Sequence, residues 1–146
     1  MKFIPPFMHF MFAVLTTYLL ASMVGTQLVL ADILSFGLRV SLRDRLLATV
    51  HDLVGLMPAL FLLITGAFLV AFVVAALCRR FLGGKQDWWY LAAGFTSLPA
   101  ALMLIKYFMG ATLFAAARTS FGMLLIALCG LAGGWVYTRL SQNRGV

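Results

Sequence analysis

Charged residues are scarce in this sequence. Only 10% of its 146 residues are Asp, Glu, Lys or Arg, whereas 64% are hydrophobic, and the mean hydropathy is +1.05. Because roughly a quarter of the residues in a soluble domain are charged, this composition excludes a soluble globular protein and predicts an integral membrane protein. Little chain is left over outside the membrane, so we expect a single domain over residues 1–146.

The lack of charge is concentrated in four long runs. The first lies between Lys2 and Asp32 and contains 29 residues. At about 1.5 Å per helical residue, roughly 20 residues cross a hydrocarbon core of about 30 Å. We therefore predict an all-α integral membrane protein with four transmembrane helices, over residues 7–31, 57–78, 88–108 and 119–138.

The sequence also lacks the motifs of common catalytic and cofactor sites. It has no Gly-rich phosphate loop, no nucleophile elbow and no HExxH-like ligand spacing. Its two cysteines, Cys78 and Cys129, fall at different depths in the bilayer, so we expect no disulfide between them, and a zinc site lacks its usual four ligands. We predict no catalytic residue, no metal and no cofactor.

Basic residues outnumber acidic ones and give a net charge of +7, but they sit singly or in pairs at helix ends. This pattern favours anionic lipid headgroups over nucleic acid, which needs a basic stripe with interleaved aromatic residues. One side of the membrane receives six Lys and Arg and one Asp, a net of +5, and the other receives five and three, a net of +2. The difference favours both termini in the cytoplasm of a bacterial inner membrane, with the inverted orientation as the alternative.

The connection between the first and second spans is long enough to form a helix over residues 41–54. Ser41 and Asp44 have the spacing of a capping box at its start. Apolar residues then fall within one arc of about 140° of the helical wheel: Leu42, Leu46, Leu47, Val50, Leu53 and Val54. We predict a short amphipathic helix that lies along the membrane surface or caps the bundle.

Most of the reactive side chains are expected at one rim of the bundle: Asp32, Asp44, His51, Asp52, Lys106 and Arg118. Charges near a low-dielectric slab tend to pair, so this polar rim could form a pocket that moves a proton or binds a charged headgroup. The alternative is that these residues fasten helices by ion pairs or face water. Either way, we expect Asp32 or Asp52 to lie within ion-pair distance of Arg45, Lys106 or Arg118.

Small and hydroxyl residues indicate where helices pack closely. The first span carries Tyr18, Ser22, Gly25 and Thr26 on one face, and the fourth carries a GxxxG pair at Gly130 and Gly134. The third span begins with the aromatic run Trp88, Trp89 and Tyr90, which predicts an anchor at the membrane interface. The GxxxG pair could pack within the bundle or against another protein.

These features favour a non-catalytic membrane protein that acts as an accessory, assembly or lipid-contacting subunit. Its expected partners are the lipid bilayer, including anionic lipids, and either other membrane subunits or a second copy of the chain. An oligomeric channel or small transporter is the first alternative, although the predicted spans carry no charge in the middle of the membrane. A membrane-embedded enzyme that uses the polar rim is the second.

Overall fold

Five helices make up the described part of the computed structural model, which covers residues 6–35, 41–55, 57–83, 86–110 and 118–142. They are α1 (Pro6–Ser35), α2 (Leu42–Gly55), α3 (Met57–Leu82), α4 (Gln86–Met109) and α5 (Ser120–Gln142). All except α2 are long and apolar enough to cross a membrane. The predicted all-α fold with four spans is therefore confirmed, and the chain is a multi-pass integral membrane protein.

All four spanning helices are longer than predicted: α1, α3 and α5 continue past residues 31, 78 and 138 to Ser35, Leu82 and Gln142, and α4 extends slightly beyond residues 88–108 at both ends. A charge-free run marks only the part inside hydrocarbon, because charged side chains beyond it can reach water without ending the helix. The 30 residues of α1 extend about 45 Å, which exceeds the hydrocarbon core by about 15 Å. Of the basic residues counted for orientation, Lys2, Arg39, Lys85 and Arg144 lie outside the described residues.

Local signals explain several helix ends. The capping box at α2 is confirmed, since the Asp44 amide donates to the Ser41 hydroxyl at 3.4 Å and the Ser41 amide donates to Asp44 Oδ2 at 3.3 Å. Gly83 and Gly110 follow α3 and α4 with φ of 70° and 67°, a left-handed conformation that glycine adopts without a Cβ clash. Thr119 caps α5 by accepting a hydrogen bond from the Gly122 amide at 3.1 Å.

The four spans form a ring in which α1 packs beside α5, α5 beside α4, α4 beside α3, and α3 beside α1. Helix α2 packs against α1 and, less extensively, α3. Fully buried side chains from all four spans meet inside: Val14, Ile64, Phe68, Leu98 and Ile126. An even number of spans returns the chain to its starting side, so α1 begins and α5 ends at the same end of the bundle.

Helix α5 approaches its neighbours on two sides through glycine. Towards α4, a Cβ added to Gly134 would lie 2.6 Å from the Tyr90 carbonyl oxygen, and one added to Gly94 would lie 3.1 Å from the Gly134 Cα. Towards α1, a Cβ added to Gly133 would lie 3.0 Å from the Ala13 carbonyl oxygen. These distances leave no room for a side chain, so the glycines allow the backbones to touch.

An aromatic cluster fills the end of the bundle that holds the termini, and its members are Phe10, Phe72, Tyr90 and Tyr137. The Phe72 ring lies 5.4 Å from the Tyr90 ring and 4.6 Å from the Tyr137 ring, between centroids. Tyr90 is only 7% exposed, so it packs inside this cluster instead of facing the membrane interface as the aromatic run had suggested. Trp88 is 73% exposed, and Trp89 Nε1 donates to the Gly83 carbonyl at 2.9 Å.

Helix α2 turns its less apolar face to the bundle. Its half-buried residues recur at helical spacing: Arg45, Ala48, Thr49, Asp52 and Leu53. Apart from Leu53, the predicted apolar arc is 58% to 81% exposed and points away from α1 and α3. The apolar arc therefore does not cap the bundle.

Candidate functional site

The polar rim residues share one end of the bundle but do not form a pocket together. Asp32, Asp44, His51, Lys106 and Arg118 are all exposed. Neither Asp32 nor Asp52 forms an ion pair with a Lys or Arg among the side chains that the structure describes, so the predicted pairing of one of them with a base is wrong. At a membrane end these side chains reach water, which solvates each charge separately and removes the drive to pair.

Asp52 is the exception among the rim residues, because it is half-buried and contacts α1. Its Oδ2 accepts a hydrogen bond at 3.0 Å from the Thr26 hydroxyl, and Thr26 is only 3% exposed. One residue later on α2, the Leu53 carbonyl accepts a hydrogen bond from the Tyr18 hydroxyl. These two bonds attach the last turn of α2 to the side of α1.

Ser22 lies one helical turn before Thr26 and is fully buried. Its hydroxyl has no hydrogen-bond partner among the residues that the structure describes. We call the group formed by Ser22, Thr26 and Asp52 the Asp52 site. The sequence placed Ser22 and Thr26 in a packing seam and Asp52 at the rim, and no spacing rule joins residues that are so far apart along the chain.

A second feature is a groove that runs along the outer side of α3 and α4. It has a volume of about 1180 Å³ and extends on α3 from Ala59 to Cys78, a length of about 28 Å. Small residues alternate with leucine and valine on the α3 wall and make up most of the α4 wall; they are Ala59, Gly66, Ala67, Ala71 and Ala75 on α3, and Ala92, Ala93, Thr96, Ser97, Ala100 and Ala101 on α4. We call it the α3–α4 groove, and it is about as long as the hydrocarbon core is thick.

The hydroxyl groups in the α3–α4 groove bond to their own helix. Thr96 Oγ1 donates to the Ala92 carbonyl at 2.9 Å, and Ser97 Oγ donates to the Gly94 carbonyl at 2.9 Å. Neither hydroxyl therefore needs a polar ligand. The groove offers an apolar surface to whatever lies beside it in the bilayer.

The described residues contain no group of three or more His, Cys, Asp or Glu that could hold a metal ion. A smaller cavity of about 350 Å³ opens beside the aromatic cluster, with Phe7, Phe10, Phe72, Tyr90 and Tyr137 among its walls. Both cysteines are free thiols, with Cys129 buried and Cys78 half-buried at the end of the α3–α4 groove.

Comparison with protein families, with curated proteins and with solved structures found no match for this chain. The functional argument therefore depends on the Asp52 site and the α3–α4 groove.

Proposed function

We propose that this protein is a non-catalytic membrane subunit that binds a transmembrane helix of a partner in the α3–α4 groove. The observation that carries the proposal is the groove itself, which has small side chains on both walls over about the thickness of the bilayer. Association of helices within lipid depends on close packing, and interfaces are enriched in Gly, Ala, Ser and Thr for that reason. An acyl chain is the competing occupant, and the experiment below distinguishes the two.

Burial of the four spans supports this choice of surface. In the most apolar window of each span, 39% of α1 and 44% of α5 is buried inside the bundle, but only 28% of α3 and 22% of α4. Helices α3 and α4 thus have the most surface left for a partner. Along α4, the exposed residues Ala92, Thr96 and Ala100 recur every four positions, which suits a crossing helix.

Helix α2 supports a role at the membrane surface. Its outward side chains are large and apolar: Leu42, Leu46, Leu47, Val50 and Val54. The bond between Thr26 and Asp52 attaches α2 about 30 Å along α1 from Pro6, near the far boundary of the hydrocarbon. We propose that α2 is an amphipathic helix that lies on this surface, in a bacterial inner membrane with both termini in the cytoplasm. The fluorescence of the tryptophan introduced by Leu46→Trp should then be quenched by lipids brominated near the headgroup.

The alternatives have less support. A channel within one subunit needs its hydroxyl residues to line one path, yet Thr96 is in the α3–α4 groove while Ser22 and Thr26 lie between α1 and α2. An enzyme that uses the polar rim needs acid and base groups within reach of each other. All the rim residues except Asp52 are exposed, and Asp52 bonds to the Thr26 hydroxyl instead of to a base.

Photocrosslinking in native membranes tests the proposal. We would place a benzophenone amino acid at Val70 or Thr96 in the groove, and at Leu20 or Leu128 on other exposed faces as controls. We expect protein adducts from the groove positions and lipid adducts alone from the controls. An adduct of twice the chain mass identifies a second copy, and any other protein mass identifies a different subunit.

A groove-filling variant sharpens this experiment. A Cβ at Gly66 would meet nothing within 4 Å, so Gly66→Leu projects into the groove without disturbing the bundle. It should abolish the protein adducts, whereas Ala76→Leu, exposed on α3 outside the groove, should preserve them. If Val70 and Thr96 yield only lipid adducts, an acyl chain fills the groove and the proposal is overturned.

A further inference from the structure

Asp52 is the most enclosed carboxylate among the described side chains. Asp32 and Asp44 are exposed, whereas Asp52 is half-buried where α2 meets α1. No Lys or Arg nitrogen in the described ranges lies within ion-pair distance of it, although the whole chain has a net charge of +7. An acid near a membrane boundary without a basic partner requires another source of positive charge.

The position of Asp52 within α2 strengthens this requirement. It lies in the last turn of Leu42–Gly55, where the unpaired carbonyl groups give the helix a partial negative charge. The Asp52 carboxylate therefore adds a negative charge at the negative end of the helix dipole. Helix C-terminal ends are places where membrane proteins coordinate small cations.

One hydroxyl group contacts the carboxylate, and a second lies one helical turn away on the same face of α1. Thr26 Oγ1 is 3.0 Å from Asp52 Oδ2 and 2.9 Å from the Ser22 carbonyl oxygen, but its one hydrogen can serve only one of them at a time. The Ser22 hydroxyl, one turn away on the same face of α1, is fully buried and has no partner in the described structure. A buried hydroxyl without a protein partner keeps its oxygen lone pairs available for a ligand.

We propose that Ser22, Thr26 and Asp52 bind a small monovalent cation where α2 meets α1. Carboxylate and hydroxyl oxygens are hard ligands that suit alkali ions, and one carboxylate balances a single positive charge. The described residues hold no larger group of acidic or metal-binding side chains, which argues against a divalent ion. This site is separate from the α3–α4 groove and does not depend on the docking of a partner.

Other charged or titratable groups occur on the elements that pack at this point. They are His9, Tyr18 and Asp32 on α1, Arg43, Asp44, Arg45 and His51 on α2, and Cys78, Arg79 and Arg80 on α3. Arg45 is on the same face of α2 as Asp52 but two turns away, a rise of about 10 Å. His51 is adjacent to Asp52 in the chain, so the experiment needs a control at His51.

Thermal unfolding of the full chain in detergent tests the site, with tryptophan fluorescence as the readout. We would measure the Tm at about pH 8 in sodium, lithium, potassium and choline chloride at equal ionic strength. A bound cation stabilises the folded state by mass action. We expect a saturable rise in Tm with one alkali ion over choline, and the salt that gives the rise identifies the cation.

Substitutions distinguish cation binding at this site from general effects of salt on stability. Asp52→Asn should abolish the rise, and Ser22→Ala should raise the half-saturating concentration about tenfold while leaving the fold intact. Asp32→Asn, Asp44→Asn and His51→Gln are matched controls that should retain the response. The proposal is overturned if wild type unfolds at the same Tm in all of the salts. If Asp52→Asn does not fold, an unchanged response in Ser22→Ala overturns it.

Discussion

The two sides of this bundle use small residues in opposite ways. Around α5, Gly94, Gly130, Gly133 and Gly134 let backbones approach so closely that an added Cβ would clash with a neighbouring helix. Along the α3–α4 groove, small residues such as Gly66 face open space. Small residues in a membrane helix permit close approach, but the contact forms only where a second helix is present. This comparison is the reason why we propose a partner helix as the occupant of the groove.

The same substitution on each side should give the largest difference in stability. Gly134→Leu inserts a side chain against the Tyr90 carbonyl and should lower the free energy of unfolding by about 3 kcal/mol, because the α4 and α5 backbones must separate. Gly66→Leu should change it by less than about 0.5 kcal/mol. Reversible unfolding in mixed micelles measures both. An equal loss in the free energy of unfolding in the two variants would contradict the difference between the two sides.

A smaller effect is expected where α2 joins α1. Tyr18→Phe removes the hydroxyl that donates to the Leu53 carbonyl and should cost about 1 kcal/mol of local stability. Hydrogen exchange over residues 42–55 should accelerate, while exchange in α5 should not change. Thr16→Val is the control, because the Thr16 hydroxyl bonds only to its own helix at the Phe12 carbonyl. Unchanged exchange in α2 for Tyr18→Phe would show that this bond does not attach α2.

The smallest effect concerns the turn between α3 and α4. Trp89→Phe removes the hydrogen bond to the Gly83 carbonyl and should cost about 0.5 kcal/mol, since this bond is partly exposed to water. Hydrogen exchange should increase at Gly83, and the partner helix should still bind in the α3–α4 groove. A loss of the partner in Trp89→Phe would indicate that the turn, and not only the groove walls, determines docking. Trp88→Phe is the control, since Trp88 is 73% exposed.

The sequence predicted the number and type of helices because the absence of charge over a bilayer thickness has few physical explanations. The capping box of α2 was also predictable, since Ser41 and Asp44 are close in the chain. The bond between Thr26 and Asp52 was not, because it depends on how far α1 extends beyond the membrane before α2 returns. We predicted Tyr90 at the membrane interface because it follows Trp88 and Trp89, but its position on α4 directs its side chain into the bundle.

The mass of the assembly in lipid nanodiscs tests the central claim about the α3–α4 groove most directly. We predict that the wild-type chain, extracted with its native lipids, is part of an assembly larger than one copy. The Gly66→Leu variant should release a single, fully folded chain, while Ala76→Leu should behave as wild type. If wild type is already a single copy with the groove accessible to lipid, or if Gly66→Leu remains in the larger assembly, the claim that a partner helix occupies the groove is contradicted.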